Sequence, residues 1–437
     1  MKCFSVSWRV LLLLALALVV SACTGPSAPA PSATAVPTVK PAAPKAPVAI
    51  RFGIYADPAR EVVAKAQAEA FNKSHPNITV TVEAVPFSDY YKKLGIAMAS
   101  GDAWDVFMIN AAYFRQIAPE GKLKDLTDPI KKSNLNLSDY TVDPGNAIYK
   151  GKTLSLPYEL NMMGLFYNKD LFDAAKVSYP TEKWTWNDLL QASQKLTKTE
   201  GGKTVQWGFY SENNYPSLHD FIAQNGGAMF NDDMTKSRIN EPAAVEAIQF
   251  MVDLVQKHKV SPLPADLPAG VNPFMTGKVA MVINYSFSVQ PNLKAPFKWA
   301  IAPLQMGKQK AYGYWTQAVS LFEGTKNADA AWEFAAYLMS KEAQELMAKE
   351  RGATPSLKSV ARSPIYLQAP PEGMEMFIKQ YEDAPSPVPL PAQFGELMSG
   401  PTSVNGVAFT PAWNGQVSAK DAADQAARNS DKILSAK

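Results

Sequence analysis

No segment of this 437-residue sequence has the spacing of a phosphate-binding loop (GxxxxGK[ST]), a nucleophile elbow (GxSxG) or a zinc-binding helix (HExxH). Its three histidines, His75, His219 and His258, stand far apart with no metal-ligand spacing. The only cysteines are Cys3 and Cys23, so the chain beyond them offers no disulfide, zinc–thiolate site or cysteine nucleophile. A carboxylate pair for glycoside hydrolysis is a tertiary feature, and with 40 acidic residues a chance pair carries little weight. What remains is the chemistry of contact. Tyr312-Gly313-Tyr314-Trp315 sets three aromatic rings around a glycine that permits close backbone approach. Asn110 and Tyr113 follow an apolar run at 105–109, and Tyr55 closes another at 48–55. Ends of parallel strands are where an α/β sheet meets its ligand.

These residues need a sheet to hold them. Residues 48–55 alternate apolar Val48, Ile50, Phe52 and Ile54 with other residues, which predicts a strand. Asp57-Pro58 then reads as an N-cap and first-turn proline, with Val62, Ala66 and Ala70, beside Val63 and Phe71, on one helical face. Alternation over 77–85, a helix over 87–100 and a short strand over 105–109 follow. Strand–helix alternation of this kind predicts an α/β layer with parallel strands. Further on, Thr185–Asp188 reads as a capping box opening a helix through 196. Residues 241–259 form an amphipathic helix, 278–284 and 297–302 strands, 329–349 one long helix and 418–434 a last helix.

Before residue 48 the composition is different. Lys2 and Arg9 precede an eleven-residue apolar run, 10–20, that rises about 16 Å as a helix, too short for a bilayer of about 30 Å. It reads as a secretory signal. Val20-Ser21-Ala22-Cys23 resembles the lipobox of bacterial lipoproteins, in which the cysteine becomes the lipidated N-terminus. The expectation is cleavage after residue 22, lipidation at Cys23 and an acyl anchor that fixes the protein to a membrane face without spanning it. Residues 24–47 hold seven of the chain's 34 prolines and seven alanines, a semi-rigid tether of at most about 75 Å. Losing Lys2 and Arg9 from the 43 basic residues leaves 41 bases against 40 acids. Such a balance gives no electrostatic footprint for nucleic acid or an anionic membrane.

Five segments, in order, together resemble the family 1 extracellular solute-binding proteins, the maltose-binding type that serves ABC importers. They are Ala99-Ser-Gly-Asp-Ala-Trp-Asp-Val106 with Leu123-Lys-Asp-Leu126; Leu156-Pro-Tyr-Glu-Leu-Asn-Met-Met-Gly-Leu-Phe-Tyr-Asn-Lys-Asp-Leu-Phe172 with Trp184-Thr-Trp-Asn-Asp-Leu189; Gln224-Asn-Gly-Gly-Ala-Met-Phe230; Phe274-Met-Thr-Gly-Lys-Val-Ala-Met281; and Gly313-Tyr-Trp-Thr-Gln-Ala-Val-Ser320 through Arg351-Gly-Ala-Thr-Pro355. The resemblance implies an α/β fold of two lobes joined by crossover strands, the type II periplasmic-binding-protein fold. Lobe 1 would be 48–157 plus 298–345, and lobe 2 would be 158–297 plus 346–437. A ligand in the cleft between them would stabilise the closed form by touching both.

The resemblance also implies a carbohydrate ligand and no catalysis. Sugars present flat C–H faces and a rim of hydroxyls, so a site wants aromatic plates and polar side chains in a preformed cleft. Tyr312, Tyr314 and Trp315 lie in a segment like the family's cleft-lining loop. Glu159 and Asn161 fall on the crossover strand, and Asn284, Tyr285 and Phe287 would come from the second lobe. Arg351 lies in a segment often near the cleft. With Asn110, Tyr113 and Tyr55 they complete the expected ligand set. No cofactor or metal is implied. The expected partners are the membrane permease of an ABC importer and, through the anchor, the outer face of a membrane, with the protein acting as a monomer. A non-sugar solute (glycerol phosphate, an amino acid or a polyamine), an anchored enzyme and a sensor stay open as alternatives.

Overall fold

A computed structural model describes residues 46–436 except 268–271, 351, 369, 399–402 and 405. The signal, Cys23 and nearly all of the tether therefore lie outside the described residues, as does Arg351. Among the described residues no helix is long and apolar enough to cross a membrane.

Nine strands form one curled sheet: β1 (Val48–Tyr55), β2 (Ile78–Val85), β3 (Val106–Asn110), β4 (Leu156–Asn168), β5 (Met281–Tyr285), β6 (Trp299–Ala302), β7 (Tyr312–Leu321), β8 (Thr354–Pro355) and β9 (Pro385–Pro387). Their spatial order is β6-β4-β7-β3-β1-β2, with β5 and β8 also on β4 and β9 on β7. β1 pairs in parallel with β2 and β3, as the alternating pattern predicts. β7 enters antiparallel to both β3 and β4, so the sheet is mixed.

β4 is the joint. All thirteen of its residues are buried, and its partners change along its length. Its first half, 156–162, pairs with β7, while 163–168 pairs with β5 and β6. Its sequence is apolar as a doubly covered strand requires, apart from the buried polar residues Glu159, Asn161 and Asn168. β6 belongs with the β5 half of the sheet, so a return to the first half at residue 298 comes before a strand that still sits in the second half.

Helix α1 (Pro58–Ser74) is capped as expected: the Asp57 carboxylate accepts the amides of Ala59 and Arg60. Its buried face differs from the expected one. It runs through Arg60, Val63, Ala64, Gln67, Ala68 and Phe71, while Val62 is 39% exposed. The polar members are buried because each finds partners: Gln67 donates to the Ala343 carbonyl and accepts from the Tyr158 hydroxyl. α2 (Phe87–Ser100) and α3 (Ala111–Ile117) follow β2 and β3. α4 (Trp186–Leu196) opens on the Thr185–Asp188 capping box. α5 (Tyr215–Gln224) and α6 (Pro242–Gln256) pack in the second half.

The single helix expected over 329–349 is two, α7 (Ala328–Leu338) and α8 (Lys341–Glu350). Ser340 makes the break: its hydroxyl accepts the Ala343 amide and starts a new helix. α9 (Ala419–Leu434) closes the chain on a Ser418 cap. Trp104 is core, 2% exposed, stacked on Tyr90 and donating its indole N–H to Glu83 at 2.8 Å. Gly53 makes room for it, since a Cβ there would meet the indole at 2.3 Å.

Candidate functional site

A cavity of about 840 Å³ opens where the carboxyl ends of β1 and β3 meet β7 and the segments after β5 and β9. Its volume falls in the range of small-molecule sites. Its floor is one face of the sheet. Residues opposite each other on paired strands share a face. The register sets Asn110 against Gln317, Gln317 against Glu159, Trp315 against Asn161, and Met163 against Tyr285. Asn110, Trp315, Gln317 and Tyr285 line the cavity directly.

The walls carry two aromatic groups. In the first, Tyr55 meets Phe87 edge-on at 5.3 Å, and Tyr91 stacks on Tyr113. The Tyr55 and Tyr91 hydroxyls are hydrogen-bonded to each other, and Tyr55 also donates to Gln317 Oε1 at 3.3 Å. Burial pushes both phenols well above their ordinary pKa, so they stay protonated and polar without charge. In the second, Tyr285 and Phe287 stack at 4.8 Å, with Trp315 edge-on to Tyr285 at 5.2 Å. Tyr215 on α5 and Val388, Leu390 and Phe394 after β9 add to the wall. That last segment is tied to two sides of the site: Arg115 on α3 donates to the Leu390 carbonyl, and the Tyr215 hydroxyl donates to the Pro389 carbonyl.

Between the aromatic groups lies Arg60. Its guanidinium lines the cavity, with Cζ 4.6 Å over the Phe287 ring and 5.8 Å from that of Tyr55. Nε and Nη2 donate to Glu159 Oε1 at 3.1 and 2.7 Å. Asn161 Nδ2 donates to the same oxygen at 3.1 Å. Burial alone would lower the Arg60 pKa, but Glu159 and Asp57 outweigh it and raise it, so the cation is permanent.

The structure thus brings Tyr55, Asn110, Tyr113, Tyr285, Phe287 and Trp315 to one cavity. Five other expected residues do not line it. Glu159 and Asn161 are on the floor face but lie beneath Arg60, 2% and 0% exposed. Tyr312 and Tyr314 alternate with Trp315 and so leave on the opposite face of β7. Tyr312 is buried there, and Tyr314 packs edge-on to Tyr381 at 5.1 Å. Asn284 likewise alternates with Tyr285, and its Oδ1 accepts the Tyr285 amide at 2.9 Å. Asn110 also caps α3, accepting the Tyr113 amide at 3.1 Å.

Sequence reasoning missed Arg60, Tyr91 and Gln317. Arg60 carried a signal: it stands on the stripe 60-63-67-71, at helical spacing, but the stripe's polar members hide it. Gln317 carried one too, two residues beyond Trp315 on the same strand face.

Residues 55–345 match the family model of bacterial extracellular solute-binding proteins. A binding protein of Brucella abortus is 27% identical over 310 residues, covering 68% of this chain and 74% of that protein. The galactooligosaccharide-binding protein of Bacillus subtilis is 24% identical over 385 residues, covering 84% and 86%. Among solved structures, an ABC substrate-binding protein of Listeria monocytogenes, in complex with cycloalternan, aligns with a TM-score of 0.80 at 29% identity, covering 90% of this chain and 100% of that one. The fold is the two-lobe periplasmic-binding-protein type, and with two thirds of its length matched by one family model, the chain belongs to the bacterial extracellular solute-binding proteins.

Proposed function

We propose that the protein is a lipid-anchored binding protein that captures a carbohydrate in this cavity and delivers it to an ABC importer permease, performing no chemistry itself. The observation that carries the reading is the cavity's make-up: two aromatic groups, Tyr55–Phe87–Tyr91–Tyr113 and Tyr285–Phe287–Trp315, with amide and guanidinium donors between them. Rings offer plates for the C–H faces of sugars, and Asn110, Gln317 and Arg60 offer partners for hydroxyls. Relatives that bind galactooligosaccharide and arabinooligosaccharide support the same class. Lipidation at Cys23 and the 24–47 tether would hold the body outside the membrane.

We draw the lobes as 48–157 plus 303–345 and 158–302 plus 346–437, moving the expected return crossing from 298 to after Ala302 because β6 pairs with the β5 half of the sheet. The ligand set we propose is Tyr55, Asn110, Tyr113, Tyr285, Phe287 and Trp315, joined by Arg60, Tyr91 and Gln317. A thermal-shift screen of the protein lacking residues 1–47 tests the reading, with sugars, amino acids and polyamines as arms. A sugar at 100 times its Kd should stabilise by about 2.7 kcal/mol. A shift with another solute class and none with any sugar defeats the carbohydrate assignment.

A further inference from the structure

The cavity holds one buried cation, and that cation is already answered. The Arg60 and Glu159 side chains are 9% and 2% exposed, so little water screens their pairing. Two of the three guanidinium nitrogens are spent on Glu159 Oε1, and Nη1 has no protein partner among the described residues. Most of the other devices with which this cavity could hold an anion are also occupied or opposed. Three of the longer helices open their N-termini on it, α1, α2 and α5; that of α2 has no side-chain cap but carries Asp89 in its first turn. Asp57 Oδ1 takes the Ala59 and Arg60 amides at 3.1 Å each, and Asn214 takes the Ser217 amide at 2.9 Å. The remaining charged residues of the wall, Lys92 and Glu120, have opposite signs. A carboxylate or phosphate entering here would lose its water and find no buried cation that is not already paired, since Lys92 is exposed and Arg60 is answered by Glu159.

We propose that Glu159 sets the charge selectivity of the cavity: by neutralising Arg60 it makes the site take uncharged oligosaccharides and refuse their uronate counterparts. This deepens the carbohydrate reading and rests on it. Arg60 Nη1 then serves as a hydroxyl donor rather than an anion receptor. Removing the charge of Glu159 while keeping its shape frees the guanidinium for the two-pronged pairing that arginine makes with carboxylates.

The test is a matched pair of ligands: a neutral oligosaccharide that binds, and the same oligosaccharide with one C6 hydroxymethyl oxidised to a carboxylate. Their dissociation constants are measured by calorimetry on wild type and on Glu159→Gln. Wild type should prefer the neutral member by at least about tenfold. Glu159→Gln should move that ratio at least about tenfold toward the uronate, and the double variant Arg60→Gln/Glu159→Gln should show no such gain. Thermal shift with each ligand reads the same ordering if Glu159→Gln is destabilised. If it does not fold, Arg60→Gln carries the test in the opposite sense, because uncompensated Glu159 should widen the neutral preference beyond wild type. A ratio unchanged in Glu159→Gln, a preference not widened in Arg60→Gln, or a wild type that binds the uronate as well as the neutral sugar overturns the proposal while leaving the carbohydrate reading intact. A wild type that binds neither ligand nor any sugar defeats that reading and this inference together.

Discussion

At the scale of single residues, Trp315 and Asp220 make contrasting predictions. Trp315 is half-buried, edge-on to Tyr285 and Phe287, with a face on the cavity. Trp315→Ala should weaken sugar binding by about 0.5–1.5 kcal/mol beyond the lost area, roughly a two- to tenfold rise in Kd, and leave the urea midpoint of the empty protein nearly unchanged. A large drop in that midpoint would assign Trp315 to packing instead. Asp220 is fully buried on α5. Its Oδ1 accepts the Gly313 amide at 2.8 Å and its Oδ2 has no hydrogen-bond partner among the described residues. Gly313 is required there, because a Cβ would stand 2.2 Å from that oxygen.

Burial holds the Asp220 carboxyl well above the ordinary carboxylate range, with the Gly313 amide pulling weakly the other way. The folded protein therefore keeps a proton that the unfolded chain has lost, and stability falls as pH rises above about 4. His219 acts in the opposite sense. Burial pushes its imidazole down to about 4, so stability rises with pH between that value and the ordinary 6.5 or so. Above about pH 7 the imidazole is neutral in both states and adds no pH dependence. Asp220→Asn should be more stable than wild type at pH 8, with the difference shrinking toward pH 5. Equal differences in urea midpoint at the two pH values would show that Asp220 does not titrate there.

At the scale of elements, Ser340 decides whether one helix or two spans 328–350. Ser340→Ala removes the hydroxyl that accepts the Ala343 amide and should cost about 1 kcal/mol, measured by urea unfolding, with sugar affinity unchanged. The apolar pattern of this stretch runs through the break, which is why a single helix reads naturally from the sequence. Strands β1 and β2 and helices α1, α2 and α4 were legible because their signals are local: alternation, Asp57-Pro58, the Thr185–Asp188 box. The parity of β7 and β5 was not. Which of Tyr314 and Trp315 faces the cavity depends on register with β4, and one residue of slip exchanges the faces. The orientation of α1 was hidden for another reason. Its inward stripe contains Arg60 and Gln67, residues that belong outside by type and are inside only because Glu159, Tyr158 and the Ala343 carbonyl meet them.

At the scale of the whole molecule, the cavity walls come from distant parts of the chain, and the contacts across it are few and specific. Arg60 from α1 stacks on Phe287 from beyond β5, and the segment after β9 is tied to α3 by Arg115 and to α5 by Tyr215. A solute that touches both aromatic groups adds its binding energy only when the walls are together. At 100 times Kd that linkage is worth about 2.7 kcal/mol, enough to take an even mixture of open and closed forms to roughly 99% closed. The radius of gyration from small-angle X-ray scattering should therefore fall when saturating sugar is added to the protein lacking residues 1–47. It should fall less for Trp315→Ala at the same sugar concentration, because weaker binding supplies less of the closing energy. An unchanged radius in wild type at demonstrated saturation would mean that the walls are already together without ligand, held by contacts such as Arg60–Phe287 and Arg115–Leu390.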